Sequence, residues 1–323
     1  MFMQNILRND YHDCGGVFFS RLTVLISFIQ MFCNLIKNYH LKPLQFQMIR
    51  TLTTKLVSVK DENGIRRIDL NNPAKRNALS LAMLKELKKS LTENINETKC
   101  IILSGKGPAF SAGHDLSELT SNTGKEHHEL IFSTCTDVMA TISKLPIPVI
   151  AQVNGLAAAA GCQLAASCDI VIATEKSTFS TPGVNVGLYC STPGVAVSRA
   201  ASRKVSSYML MTGLPISAQE ALQCGLVSKI CPEEKLQEET AKIANAICSK
   251  SRSVSLLGKR FYYSQIERDI SSAYKSEITS YLTSKDAETV MVENLRYKDT
   301  QRGIEAFLGK QKPEWTGTDD KVH

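Results

Sequence analysis

No aspartate or glutamate occurs between residues 14 and 60. The charges there are Arg21, Lys37, Lys42, Arg50, Lys55 and Lys60, set among Ser, Thr and Asn. A basic, hydroxylated, acid-free segment has the composition of a mitochondrial transit sequence. Residues 1–55 are therefore expected to be a leader directed to the mitochondrial matrix. Two alternatives stay open. Val17–Ile36 is mostly apolar and long enough for a membrane anchor or signal segment. Arg21 and Gln30 interrupt it, leaving Leu22–Ile36, which is short for a span, so no membrane partner is expected. Translation could also start at Met48, leaving a compact leader.

Other absences narrow the function. The formal charge of +7 is concentrated at the start: residues 1–60 carry seven Lys/Arg and two acids, leaving 31 basic against 29 acidic residues for the rest. No Lys/Arg block follows, which argues against a nucleic-acid partner. Ten cysteines are present (14, 33, 100, 135, 162, 168, 190, 224, 231 and 248), but none forms a Cys-x-x-Cys pair. No histidine lies at zinc-ligand spacing from such a pair, so no metal is expected, and the thiols read as buried and reduced. No Walker or Rossmann glycine signature is present.

What is present reads as a globular α/β chain. It is 43% hydrophobic and 21% charged over 323 residues, ordinary globular usage with enough length for a sizeable core. Gly64–Leu70 alternates like a strand and is broken by Asn71–Asn72–Pro73. Ser80 can cap a helix carrying Leu84, Leu87 and Leu91. Strands are expected at Cys100–Leu103, Pro148–Val153, Ile170–Ala173 and Gly225–Ile230. Helices are expected at His127–Leu145 and Ala157–Ala166, with a mostly helical chain after about residue 190. The strands are short and closely spaced, which fits strand–strand–helix repeats better than a regular doubly wound sheet.

Two segments carry the chemistry. Lys106–Glu118 (KGPAFSAGHDLSE) and Val153–Asp169 (VNGLAAAAGCQLAASCD) are glycine-bearing turns that follow apolar strands and lead into helices. Such turns present free backbone N–H groups able to hold a thioester oxygen as it becomes an enolate. With NNPAKRNALS (71–80), FSTPGVNVGL (179–188), ISAQEALQCGLVSKI (216–230) and GIEAFLGKQKPEW (303–315), they give six segments in one order. Over about residues 58–315 the chain resembles the crotonase (enoyl-CoA hydratase/isomerase) superfamily.

The resemblance implies an α/β spiral of strand–strand–helix repeats over 56–258 and a helical C-terminal region over 259–323. It implies an acyl-CoA thioester as ligand, with no other cofactor, and a homotrimer or hexamer. The oxyanion donors fall on the N–H groups of His114 and Ala160, the latter at a position where the family mostly has glycine. CoA contacts fall on Lys75, Arg76, Ala112, Asp115, Leu116, Phe307 and Lys310, with Lys310 reaching the CoA of a neighbouring subunit. The two glutamates of the family's hydratases match Gln163, which cannot ionise, and Gly183, which has no side chain. Each positioned acid or base is worth about 10²–10⁴ in rate, so efficient hydration is not expected.

Two functions follow from that substitution. One is an acyl-CoA enzyme with changed chemistry: decarboxylation of a malonyl-type thioester, thioester hydrolysis or a weak lyase activity. A histidine in the spelling SAGHD also occurs in family decarboxylases, which makes His114 a catalytic candidate. The tyrosine those enzymes use matches Cys190, with Tyr189 one residue earlier. The other is a non-catalytic acyl-CoA-binding or regulatory protein. Asp115 reads better as a helix cap than a base, Asn185 better as a turn residue, and Cys162 and Cys190 lack a basic partner to activate a thiolate.

Overall fold

The structure, a computed structural model, describes residues 55–275 and 286–322. The leader, Met48 and the apolar run Val17–Ile36 lie outside the described residues. Among the described residues no helix is long and apolar enough to cross a membrane.

The chain opens with an antiparallel hairpin, β1 (Val57–Glu62) and β2 (Ile65–Leu70). Its turn is Asn63–Gly64, both at positive φ, a residue pair suited to a tight hairpin. β1 is not anticipated by the sequence reading, because VSVKDE ends in charges and buries only Val57. The rest is built from a repeated step. β3 (Cys100–Gly105) leads to β4 (Ala109–Ser111) and then α2 (Lys125–Lys144), which follows α1 (Leu81–Thr92) in the chain. β5 (Val149–Val153) leads to β6 (Leu156–Ala158) and α3 (Ala160–Ser167). β7 (Ile170–Thr174) leads to β8 (Thr178–Ser180) and α4 (Ser191–Ala200).

The first strand of each step joins a six-stranded sheet of order β1-β2-β3-β5-β7-β10, where β10 is Lys229–Cys231. The second strand joins a four-stranded sheet, β4-β6-β8-β9, where β9 is Ile216–Ser217. Apart from β1–β2 and β8–β9, every pairing is parallel. Each strand–strand–helix step thus advances the chain by one place in both sheets, which makes a spiral.

At the central strands β3, β5 and β7 both faces of the larger sheet are buried, as expected where a parallel sheet is covered on two sides. Ile101, Leu103, Val149, Ala151, Val153, Val171 and Ala173 point into the main core with Leu84, Leu87, Val138, Leu164, Phe110 and Phe179. Their neighbours Cys100, Ile102, Ile150 and Ile172 point the other way, onto Leu236 and Ala244 of α7 (Leu236–Cys248). Period-2 alternation therefore assigns each residue to one of two cores.

The remaining helices are α5 (Arg203–Thr212), α6 (Ala218–Gln223), α8 (Arg252–Gln265), α9 (Ile270–Tyr274), α10 (Ala287–Leu295) and α11 (Lys298–Leu308). Several element ends depart from expectation. The helix expected at Ala157–Ala166 is a strand, Leu156–Ala158, followed by a helix from Ala160. Alanine-rich sequence favours helix, but Leu156–Ala158 pairs with β4 and β8, and that pairing overrides propensity. The last strand is Lys229–Cys231 rather than Gly225–Ile230, because Ala218–Gln223 and its terminating turn at Gly225 take up the earlier residues.

Candidate functional site

The two glycine-bearing turns meet. Gly113 has φ +93°, and a Cβ placed there would lie 2.8 Å from the Ala159 Cβ, 2.9 Å from the Ala158 carbonyl oxygen and 3.1 Å from the Ala160 nitrogen. Only glycine allows this conformation and this approach together. The Leu79 N–H donates to the Gly113 carbonyl (2.7 Å), and the Ala112 N–H donates to the Arg76 carbonyl (3.0 Å). The strand-to-helix connection at 71–80 is thereby stitched to the first turn.

The candidate oxyanion donors are placed by this contact. Ala160 is the first residue of α3, so its N–H has no acceptor one turn back. The residue before it, Ala159, holds φ +49°, which is unusual for a non-glycine residue and sets the sharp entry into the helix. The Ala160 methyl is wholly buried in the main core. The replacement of a glycine at this position therefore keeps the N–H and packs the added carbon inside.

His114 is held by its own ring. Its Nδ1 lies 3.2 Å from the Leu79 carbonyl oxygen, and the ring makes an edge contact with Phe132 at 5.2 Å between centroids. A carbonyl only accepts, so Nδ1 carries the proton and Nε2 carries the lone pair. Burial lowers the His114 pKa below the ordinary histidine value, and the bond to Leu79 only partly opposes this. The ring is therefore neutral at neutral pH. Its Nε2 is buried and unpartnered.

The two positions of interest for water activation hold no acid. Gln163 is 5% exposed on α3, and its Oε1 has no hydrogen-bond partner. At Gly183 an added Cβ would sit 2.1 Å from the Leu188 carbonyl oxygen and 2.8 Å from the Cys190 Sγ. The turn Pro182–Val186 folds back on itself, with the Leu188 N–H donating to the Gly183 carbonyl at 2.9 Å. The backbone around residue 183 leaves no room for any side chain. The nearby thiols offer no substitute base: burial pushes Cys162 up to about 12 and raises Cys190 as well.

Lys75, Arg76, Ala112 and Asp115 are brought together on the loops that flank the Gly113 turn. Lys75 Nζ and Asp115 Oδ2 are 2.7 Å apart, and this bond holds the Asp115 carboxyl below its usual range. Asp115 also caps the short turn Leu116–Glu118 by accepting from the Ser117 N–H at 3.1 Å. Asp115 is thus engaged as a cap and ion-pair partner. Arg76 is exposed and has no ion pair among the described residues. Leu116 is 58% exposed. Phe307 stands on α11, 82% exposed, Lys310 lies in the turn that follows this helix, and no described hydrogen bond or ion pair ties either to these loops. Asn185 is exposed in the Pro182–Val186 turn.

Sequence reasoning misses two features. A cavity of about 1040 Å³ runs along α3 from Gln163 past Ala166 and Ser167, walled by α2, α4 and α8. Neither His114 nor Ala160 lines it; Gln163 joins it to the oxyanion turns. Its floor carries an ion pair, buried Lys259 and half-buried Asp169, at 2.7 Å. Lys259 also donates to the Ile142 and Ile147 carbonyls at 2.9 Å each, and Asp169 accepts from the Tyr263 hydroxyl and the Val149 N–H. The second missed feature is Thr181, fully buried with an unpartnered hydroxyl.

Comparison with known proteins places this architecture. The family model for enoyl-CoA hydratase/isomerase matches residues 60–318. The chain belongs to this family, the crotonase superfamily. Human enoyl-CoA hydratase domain-containing protein 3, mitochondrial, is 56% identical over 261 residues, covering 80% of this chain and 83% of that protein. The crystal structure of that human protein superposes with a TM-score of 0.76 at 54% identity, covering 80% of this chain and 100% of the other. A Mycobacterium smegmatis enoyl-CoA hydratase structure gives a TM-score of 0.76 at 41% identity, covering 81% and 99%. Mitochondrial enoyl-CoA hydratase from Pongo abelii is 34% identical over 253 residues, covering 77% and 83%. The spiral of strand–strand–helix repeats with C-terminal helices is thus the crotonase fold.

Proposed function

We propose that this protein binds acyl-CoA thioesters in the mitochondrial matrix and does not hydrate enoyl-CoA efficiently. The observation that supports this reading is the close packing of Gly113 on Ala159, where the two glycine-bearing turns meet, together with the crowding at Gly183. In this reading the N–H groups of His114 and Ala160, which follow Gly113 and Ala159 in the chain, receive the thioester oxygen. Fixed dipoles in a dry site stabilise an oxyanion strongly, about 2.7–4 kcal/mol per donor in a well-studied hydrolase. Hydration needs more: a group that takes a proton from water and one that delivers it. Gln163 cannot ionise, Gly183 is blocked, and the thiols nearby stay protonated.

Arg76 and Lys75 supply cationic contacts for CoA phosphates at the cleft mouth, where Lys75 exchanges its bond to Asp115 for one to phosphate. Ala112, Asp115 and Leu116 line the same entry. Phe307 and Lys310 serve the CoA of a neighbouring subunit in a homotrimer or hexamer. Mitochondrial placement is supported by the acid-free leader composition and by the names of the mitochondrial relatives.

Decarboxylation of a malonyl-type thioester is the second reading, favoured by the free Nε2 of His114 beside the oxyanion turn. Loss of CO₂ leaves its electron pair on the enolate and needs no base to start. A mass-spectrometric panel tests both readings with the purified protein. Crotonyl-, malonyl-, methylmalonyl-, ethylmalonyl- and saturated acyl-CoAs are each followed for depletion and product mass. The expected result is ligand-induced thermal stabilisation without rapid gain of water on crotonyl-CoA. Hydration at ordinary enzymatic rates sinks the main reading, and loss of CO₂ that His114→Ala abolishes establishes the second.

A further inference from the structure

The helix α1 begins without an acid of its own. Ser80 caps it by accepting from the Met83 N–H at 3.2 Å, and no Asp or Glu stands in its first turn. A helix N-terminus favours a carboxylate, because its first N–H groups are unpaired and its peptide dipoles sum to a partial positive charge. Here the acid comes from another part of the chain. Glu118 places Oε2 2.8 Å from the Leu81 N–H, the first of the helix.

Glu118 ends the short turn Leu116–Glu118, which follows His114 and Asp115. Its bond is one of three between residues 79–81 and residues 113–118. The Leu79 N–H donates to the Gly113 carbonyl at 2.7 Å, and His114 Nδ1–H donates to the Leu79 carbonyl at 3.2 Å. The Leu81 N–H donates to Glu118. Residues 79–81 thus grip the oxyanion turn before His114, at its ring and beyond it. Of the three bonds only the last has a charged acceptor, which makes it roughly twice as strong as a neutral one.

The nearby ion pair is no substitute for this tie. Lys75, which meets Asp115, is 60% exposed, and an ion pair in water holds weakly. Glu118 is also coupled to its neighbours by the backbone. Its N–H donates to the Asp115 carbonyl at 3.0 Å, so a displacement of Glu118 passes to the residue that follows His114. Burial lowers the His114 pKa, and the bond to Leu79 and the Glu118 charge both oppose this, which puts the carboxylate within electrostatic reach of the ring. An acid inside α1 would cap the helix equally well. Placed at 118, it caps the helix and anchors the loop that carries the His114 N–H.

We propose that Glu118 is a positioning residue: by anchoring the oxyanion turn to the first N–H of α1, it holds the His114 N–H where a thioester oxygen can reach it. This rests on the acyl-CoA reading above.

The test is calorimetric titration of the full-length protein with butyryl-CoA and with S-butyl-CoA, a thioether that differs only in lacking the carbonyl oxygen. The ratio of the two affinities reports the contact to that oxygen and cancels the contributions of CoA and the alkyl chain. The native protein is expected to prefer butyryl-CoA about tenfold, the worth of one or two net hydrogen bonds. Glu118→Ala should abolish that preference while S-butyl-CoA affinity holds. A merely structural Glu118 gives another pattern: the melting temperature falls, both ligands weaken alike and the ratio stays, which overturns the proposal. Glu118→Ala combined with Ala82→Glu separates the two roles. Ala82 is exposed in the first turn of α1, so the new acid restores the helix terminus without touching the loop. Recovery of the melting temperature with the preference still absent supports the proposal, and recovery of the preference overturns it. Should Glu118→Ala not fold, Leu81→Pro cuts the same bond from the other side. Proline is favoured at the first helical position, and Ser80 before it is already extended, at ψ 162°. Loss of the preference in that variant supports the proposal, and its retention overturns it. Equal affinity of the native protein for the two ligands overturns the proposal while leaving acyl-CoA binding intact. Binding of neither removes the acyl-CoA reading and the proposal together.

Discussion

Residue 183 shows how one position can close a reaction path. A side chain there meets the Leu188 carbonyl oxygen and the Cys190 sulfur. Restoring an acid by substitution is therefore not a local event. Gly183→Glu, alone or with Gln163→Glu, is expected to lower stability by about 1–3 kcal/mol through overpacking. Enoyl-CoA hydration should remain at background. Thermal denaturation together with a crotonyl-CoA assay checks both halves, and a stable, hydrating double variant would show that the turn re-forms around the acid.

His114 gives a pH signature. Its folded pKa is depressed by burial, so the neutral ring is favoured in the folded state. The unfolded chain takes up the proton first as pH falls below about 6.5. The stability His114 supplies is then present above that pH and is lost as pH falls toward the lower folded value. Denaturant midpoints should fall more steeply as pH drops below about 6.5 in the native protein than in His114→Asn. Parallel curves for the two proteins would contradict the assigned neutral ring.

At the scale of elements, two carboxylates, half-buried Asp169 and fully buried Asp299, anchor the C-terminal helices. Asp169, at the start of β7, meets Lys259 of α8 and the Tyr263 hydroxyl. Lys259 spends all three donors, on Asp169 and on the carbonyls of Ile142 and Ile147. Lys259→Met leaves that carboxylate without its cation and is expected to cost about 3–5 kcal/mol in urea denaturation. A cost below about 1 kcal/mol would mean the site readily admits water. Asp299 of α11 plays a similar part. Burial pushes its carboxyl up, but bonds from Ser251, Thr316 and Gly317 outweigh that and hold it below its usual range. The Ser251 hydroxyl, which accepts from the Val254 N–H to cap α8, donates to Asp299 at 2.7 Å, so one carboxylate joins α8, α11 and the terminal tail. Asp299→Ala should speed tryptic cleavage in residues 298–321 without changing cleavage within the spiral. Uniform cleavage of the whole chain would argue that the helices and spiral unfold as one unit.

For the whole molecule, the exposed apolar surface of the C-terminal helices calls for a partner. Phe307 and Leu308 are 82% and 75% exposed on α11, and Met291 and Val292 are 60% and 63% exposed on α10. Crotonase-family proteins are typically oligomeric, and a second copy of this chain is the partner proposed here. Light scattering is expected to give a mass of three or six chains, and Phe307→Asp should shift it toward smaller species. A monomer at micromolar concentration would remove Lys310 from the proposed CoA contacts, since that contact is made across subunits.

Much of this molecule is written locally. The spiral was legible because short apolar runs recur with glycine turns between them, and Ser80, placed as a cap from sequence, accepts from the Met83 N–H as expected. Of the helix expected at Ala157–Ala166, residues from Ala160 on are helical, and only the first residues depart, because they pair with strands from distant parts of the chain and pairing energy is not a local property. Motif order was enough for the family, and on that resemblance rest the proposed oxyanion donors and the matching of Gln163 and Gly183 to the hydratase acids. Tertiary structure alone decided that the space at Gly183 is closed, that the Ala160 methyl is buried, and that His114 is neutral with its lone pair unspent. It alone packed Gly113 on Ala159 and joined Asp169 to Lys259. Each of these depends on which atoms from remote segments share a few ångströms, and on how much water that contact excludes. Neither quantity is carried by any single stretch of the chain.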